Sequence, residues 1–207
     1  LIYLSINSRP DISFAVQEVA KFMTKPTNKA ALAVKNIYNY VSGNNYSIRY
    51  NGEDKLFAYV DSSFADNEDR TSTYGYVIYY GGNPIIWKSK KQKKVATSIF
   101  EAEWMALSIA ISDVVYVLEI LKDLGMKYKE KVIIYEDNEQ VVTHAKQQIN
   151  FTSSKHIEIS YRDTIHYVNN NTVEIVKIDT HKNLADVLTK PIRGSKFKEL
   201  TELLFRR

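Results

Sequence analysis

The 207-residue chain contains no cysteine. Disulfide bonds, thiolate catalysis and zinc sites with cysteine ligands are therefore excluded. No stretch reads as an apolar run of membrane-spanning length, and no N-terminal signal pattern is visible. Internal repeats and low-complexity tracts are also missing. Neither charge sign dominates: 28 basic residues against 24 acidic ones leave a net +4, which favours an anionic partner only mildly. What remains, 44% hydrophobic and 25% charged residues, is ordinary for a soluble globular protein. The length suits one good-sized domain, or one domain with a smaller appendage. The first residue is Leu1, inside an apolar run, as expected of a piece of a longer chain.

Residues 1–50 read as helical. Pro10-Asp11 offers a start signal, and Phe14, Val16, Val19, Phe22 and Met23 recur near helix spacing. Pro26 closes that helix, Thr27 can cap the next, and Gly43 stops it. An Asn- and Gly-rich loop, Gly43–Asp54, marks a boundary. The apolar run Leu56–Val60 predicts a buried strand closed by Asp61, an acid at the sheet edge. Tyr74–Tyr80 and Asn83–Trp87 predict two more strands around the Gly81-Gly82 turn. Trp104, Leu107, Ile111, Val115 and Leu118 mark one face of a helix over Phe100–Leu124, with Glu103 flanking that face. Lys131–Tyr135 is the next strand, closed by Glu136-Asp137, and Asn138–Gln148 is a helix. Ser153–Asn169 is mostly helical, Thr172–Ile178 is the last strand, and Lys182–Lys190 and Ser195–Phe205 are helical. The order predicts an α/β fold: a mixed sheet with helices on its faces. The expected division is a helical subdomain over 1–50, an α/β domain over 55–190 and a helical tail over 191–207.

Asp61 and Asp137 each follow an apolar strand, Glu103 sits on the helix between them, and Asp186 opens a late helix. Alone, each acid has an ordinary explanation: a turn or cap for the strand-end Asp residues, a solvated helix charge for Glu103, an i,i+4 partner of Lys190 for Asp186. Together they form an ordered set at the carboxyl edge of a sheet, where α/β sites form. Two carboxylates about 4 Å apart repel by roughly 4 kcal/mol at an effective dielectric near 20. Four can converge only if protons or cations compensate. All-oxygen ligation suits Mg²⁺ or Mn²⁺. A pair of such ions implies phosphodiester hydrolysis.

The segments that carry these acids resemble a known family. They are Ala58-Tyr-Val-Asp61-Ser-Ser-Phe-Ala-Asp66, Arg70-Thr-Ser-Thr-Tyr-Gly75-Tyr-Val, Ile86-Trp-Lys-Ser-Lys-Lys-Gln92 and Phe100-Glu-Ala-Glu103-Trp-Met-Ala-Leu107. Tyr135-Glu-Asp137-Asn, Ser154-Lys-His156-Ile-Glu and Asn183-Leu-Ala-Asp186-Val-Leu-Thr-Lys-Pro191 follow. The set is similar to the ribonuclease H domain of copia-type LTR-retrotransposon Pol polyproteins. Arg9-Pro-Asp-Ile-Ser-Phe-Ala-Val16 resembles the end of the preceding reverse transcriptase and connection region. The resemblance implies a ribonuclease H-like, five-stranded mixed sheet flanked by helices. It further implies two Mg²⁺ ions (Mn²⁺ can substitute) on Asp61, Glu103, Asp137 and Asp186, and cleavage of RNA in RNA–DNA hybrids. Its implied partners are the hybrid and the reverse transcriptase and integrase portions of the polyprotein, with no membrane. Its implied setting is a cytoplasmic virus-like particle, with the nucleus as the alternative. The polymerase's paired-Asp motif is absent, so the fragment is not expected to polymerise.

Glu101 competes with Glu103, but the family pattern of an acid before an aromatic, Met, Ala and Leu selects Glu103. Asp66 reads as a structural loop residue. Lys88, Lys90, Lys91, Lys93 and Lys94, placed between the third strand and the long helix, are candidates for phosphate contact together with Arg70, against the alternative of a solvated loop. Trp87 and Tyr74 read as core or sheet-face residues, with stacking on a hybrid as the alternative. His156 reads as structural, and His181 lies five residues before Asp186, closer than the product-release histidine of cellular ribonucleases H; both are auxiliary candidates. His144 and His166 read as helix-surface or core residues. Two further functions stay open: an inactive remnant or domesticated module that only binds nucleic acid or protein, and another nuclease of the same fold, such as an integrase or resolvase.

Overall fold

The computed structural model describes residues 1–50, 54–126, 128–147 and 155–205, with 155–160 described by backbone alone. Five strands form one mixed sheet in the order β3-β2-β1-β4-β5. β1 (Phe57–Ser63), β2 (Thr73–Tyr80) and β3 (Asn83–Lys91) make the antiparallel meander expected from the sequence. Its second turn is glycine-dependent. Gly81 and Gly82 both hold positive φ, 59° and 80°, as a two-residue hairpin turn requires. β4 (Val132–Glu136) runs parallel to β1, and β5 (Val173–Lys177) runs parallel to β4.

Two strand ends differ from the sequence reading. β1 does not stop at Asp61: the ladder to β2 continues through Asp61↔Gly75, Ser62↔Tyr74 and Ser63↔Thr73. Asp61 is thus a buried strand residue, not an edge residue. β3 likewise runs on through Lys88–Lys91, so three of the clustered lysines lie on a strand and only Lys93 and Lys94 follow it. Hydrogen bonds to a neighbouring strand carried both segments past the polar residues that seemed to end them.

Alternation along β2 divides the core. Tyr74, Tyr76 and Ile78 face one cluster, with Val60, Trp104, Leu107 and Ile111; Val77 and Tyr79 face another. The first cluster is sealed by α4 (Ile99–Asp123), whose Trp104 is fully buried and stacks on Tyr161 of α6 (Lys155–Asn169) at 4.7 Å. By length and composition α4 could cross a membrane, contrary to the expectation that nothing approaches that length. Its apolar length is spent as the central core helix instead. α5 (Glu139–Gln147) packs on the same side through Val141, Val142 and Ala145.

The opposite face is covered by the end of the chain. After β5 come two 3-10 helices, Thr180–Lys182 and Leu184–Leu188, and then α7 (Gly194–Leu204). The expected helix over Lys182–Lys190 is therefore two tight 3-10 segments, and Asp186 sits inside the second. Leu184, Val187, Leu188, Leu200, Leu204 and Phe205 pack on Val77, Tyr79 and Trp87, and the Tyr79 hydroxyl donates to the Leu204 carbonyl at 3.0 Å.

At the N-terminus, α1 (Ile2–Asn7), the 3-10 turn Pro10–Ile12, α2 (Ser13–Ala20) and α3 (Asn28–Gly43) form the expected helical part. Thr27 caps α3 by accepting from the Ala30 N–H at 3.1 Å. Ile12, Val16 and Ile37 make a small core of their own, and the buried Arg9–Asp11 pair (2.7 Å) braces it. The Trp87 indole N–H donates to the Ser5 carbonyl at 2.6 Å, joining these helices to β3.

Gly75 decides how closely the second 3-10 helix approaches the sheet. A Cβ there would lie 2.6 Å from Leu188 Cβ and 2.8 Å from Thr189 Cγ2. Gly75→Ala is expected to lower stability to urea by about 1–3 kcal/mol through overpacking. Gly43→Ala, at a helical position with nothing within 4 Å of the new Cβ, is expected to raise stability by about 0.4–1 kcal/mol.

Candidate metal centre

The parallel register of β1 and β4 brings two of the acids together. Tyr59 pairs with Tyr135, and Asp61 and Asp137 each lie two residues beyond that pair. α4 crosses the same end of the sheet and supplies Glu103, which is 5% exposed. One carboxylate oxygen from each of Asp61, Glu103 and Asp137 lies within 4.8 Å of those of the other two. Glu101 is occupied elsewhere: its carboxylate accepts from the Thr97 N–H at 2.8 Å and from the Thr97 hydroxyl, and its own N–H is capped by Ser98. The competition between Glu101 and Glu103 is thereby decided by the helix start.

Asp186 does not join that trio directly. It is buried, and Lys190 Nζ stands between it and Asp61, 2.7 Å from Asp186 Oδ1 and 3.0 Å from Asp61 Oδ1. The i,i+4 partnership with Lys190 read from the sequence is real, and Lys190 also reaches across to β1. Lys196 of α7 approaches Asp186 Oδ2 at 3.3 Å. The Thr189 hydroxyl donates to Asp61 Oδ2. Asn183 straps this segment down, donating from Nδ2 to the Val60 carbonyl at 2.8 Å while its Oδ1 accepts from the Ala185 N–H at 3.1 Å.

Burial pushes the Asp61 carboxyl up to about 7; Lys190 and the Thr189 hydroxyl oppose the rise, and Asp186 and Asp137 add to it. Glu103 is driven well above the usual carboxylate range, by burial first and then by the charges of Glu136, Asp61 and Asp137. Glu136, fully buried, rises for the same leading reason, although the Asn138 N–H favours its charged form. Burial works against the Lys190 ammonium, but the Asp61 and Asp186 carboxylates outweigh it and raise its pKa. At such separations each ionised pair costs roughly 3–4 kcal/mol at an effective dielectric near 20. Glu103 Oε2 is buried and has no hydrogen-bond partner among the described residues. An all-oxygen donor set with an orphaned buried carboxylate oxygen fits a hard divalent cation.

The remaining candidates are more dispersed. Lys88 pairs with Asp113 of α4 at 2.7 Å and lies over the Tyr76 ring, and Lys91 pairs with Asp69 at 2.6 Å. Lys90, Lys93, Lys94 and Arg70 are exposed. Ser89 pairs with Gly75, which pairs with Asp61, so Lys88 and Lys90 flank a position two strands, about 10 Å, from the acid. Trp87 and Tyr74 are core residues, which removes the stacking alternative. His181 is exposed in the 3-10 turn before Asp186. His156 falls in α6, and its side chain lies outside the described residues. His144 donates from Nδ1 to the Gln140 carbonyl (2.8 Å) beside Phe100, and His166 is exposed. Asp66 is an exposed loop residue hydrogen-bonded by Asn67. Sequence reasoning missed Thr189, Lys196 and Glu136 as neighbours of the site. Lys190 was visible only as a partner of Asp186.

No family model matches the chain. Over 202 residues it is 36% identical to the retrovirus-related Pol polyprotein from transposon RE1 of Arabidopsis thaliana, covering 96% of this chain and 14% of that protein. Over 207 residues it is 33% identical to the corresponding polyprotein from transposon TNT 1-94 of Nicotiana tabacum, covering 99% and 16% respectively. The chain thus spans less than a fifth of the length of these relatives. Among solved structures, LC11-RNase H1, isolated from compost by a metagenomic approach, superposes with a TM-score of 0.50 at 22% identity, covering 66% of this chain and 94% of that one. That likeness shows a ribonuclease H-like fold.

A carboxyl whose pKa is raised by folding stabilises the fold fully below its unfolded value and loses that contribution as the pH rises through its folded value. The metal-free protein is therefore expected to lose thermal stability between about pH 4 and about pH 7, the interval from an ordinary Asp to the raised Asp61. Thermal melts with and without Mg²⁺ check this: the gain from the ion is expected to grow across the same interval, and an equal gain at both ends would count against the site.

Proposed function

Because the chain belongs to the family of copia-type retrotransposon Pol polyproteins and carries its ribonuclease H-like domain, we propose that it hydrolyses the RNA strand of RNA–DNA hybrids with divalent metal ions. The observation that carries this reading is the convergence of Asp61, Glu103 and Asp137 from two parallel strands and a crossing helix. Residues 1–50 would be the helical end of the reverse transcriptase and connection region, and the rest of the polyprotein, integrase included, its partners. The working site would be a cytoplasmic virus-like particle.

Asp61, Glu103 and Asp137 would hold the first Mg²⁺ or Mn²⁺ ion, and Asp186 would contribute to a second together with Asp61. Bound there, divalent cations supply Lewis-acid stabilisation of a phosphodiester and acidify water at neutral pH. The chain's own residues orient that chemistry. Thr189 fixes the rotation of the Asp61 carboxylate by its hydroxyl hydrogen bond. The buried Glu136, next to Asp137 in the chain, is a further carboxyl at this end of the sheet, pushed toward its neutral form by burial in the absence of a cation. Lys90, Lys93, Lys94 and Arg70 offer exposed cations for backbone phosphates, which fits recognition by groove shape and 2′-hydroxyls and not by base sequence.

The test is a hybrid with either strand labelled, incubated with Mg²⁺. Cleavage of the RNA strand alone is expected, and Asp137→Asn is expected to reduce it by about 10³-fold or more, the scale of removing a charge-stabilising group from an active site. Folded protein that binds Mn²⁺ and hybrid but leaves RNA intact would establish the binding-module reading instead.

A further inference from the structure

We propose that the Lys190 ammonium is a built-in cation occupying the position between Asp61 and Asp186, so that the chain loads one divalent ion readily and a second only when Lys190 withdraws. The inference rests on the reading of the acidic cluster as a metal centre and concerns how that centre fills.

Charge counting supports it. The five carboxylates of Asp61, Glu103, Glu136, Asp137 and Asp186 meet three ammonium groups, Lys177, Lys190 and Lys196, which leaves a formal charge of −2 when all are ionised. A single divalent ion neutralises that remainder. A second would give the cluster a net positive charge while Lys190 stays. Geometry agrees. Lys190 Nζ lies at hydrogen-bond distance from one oxygen of each carboxylate, 3.0 and 2.7 Å, so it already occupies the space between the two carboxylates that would hold a second ion. Lys196 contacts the other oxygen of Asp186 and does not bridge. The Thr189 hydroxyl donates to the other Asp61 oxygen, Oδ2, and the remaining lone pairs of that carboxylate stay open to the first ion. Lys190 is therefore the group that a second ion must displace.

The side chain can leave. It is 36% exposed, and its flexible four-carbon stem can turn its charge to solvent without crossing the core. The segment that carries it need not follow, since Asn183 and the close approach at Gly75 hold it independently of the ammonium. Lys190 is thus a positioning residue that sets the order of cation loading.

Mn²⁺ titrations of the whole chain, read by electron paramagnetic resonance of the free ion and by calorimetry, test this without reference to activity. Wild type is expected to bind one ion, with a second only at much higher concentration. Lys190→Met is expected to tighten the second ion by about tenfold or more, the scale of removing one close like charge. Lys190→Arg, which keeps the charge, is expected to retain the wild-type pattern and serves as a check on folding. Equal second-ion affinity in wild type and Lys190→Met, with the first ion still bound, would overturn the gate and leave the metal centre standing. Absence of any Mn²⁺ binding in all three proteins would remove the metal centre and the gate together.

Discussion

Mutual repulsion among buried carboxylates is the constraint around which this molecule is arranged. Asp61, Glu103 and Glu136 are all buried at one end of the sheet, with Asp137 half-buried beside them. Several polar groups nearby answer their charge. Lys190 bridges two carboxylates, Lys196 approaches one, and the Thr189 hydroxyl satisfies an oxygen of Asp61. The Asn138 N–H donates to Glu136 Oε1 at 2.9 Å. Burial nevertheless wins, and Asp61, Glu103 and Glu136 are held above their ordinary pKa values. A hydrophobic sheet edge would be cheaper to fold, so the cluster makes physical sense as a place for cations.

The cluster depends on two structural devices far from it in sequence. Parallel pairing of β1 with β4 aligns Asp61 with Asp137, and only a crossover through α4 can join parallel neighbours. The same crossover delivers Glu103. The second device is the strapped segment 183–190. Asn183 ties it to β1, and the missing side chain at Gly75 lets Leu188 and Thr189 rest against β2. With that approach Lys190 can reach Asp61; a bulkier residue at 75 would hold it away.

Much of this was legible in the residues. Short apolar runs, the Gly81-Gly82 turn and the three–four spacing of Trp104, Leu107 and Ile111 placed five strands and the long helix. The recurring segments around the four acids carried the family resemblance. The misplacements have a common physical cause. Asp61 and Lys88–Lys91 were read as strand ends because polar residues usually close a strand, yet ladder hydrogen bonds with β2 extended both. The segment Leu184–Leu188 has helical spacing in sequence, but its tight contact with the sheet winds it as a 3-10 helix. Glu101 and Glu103 could not be separated by spacing alone, since the deciding fact is a capping contact with Thr97.

By itself the sequence determined the class of fold, the hairpin, the core helix and the identity of the acids, because these follow from local periodicity, turn chemistry and residue type. Tertiary structure decided which acids meet. Asp61, Glu103 and Asp137 converge through strand register and helix crossing, while Asp186 is met by Lys190 before it reaches them. Register and close approach are properties of pairs of segments remote in the chain, and no local pattern encodes a distance between them.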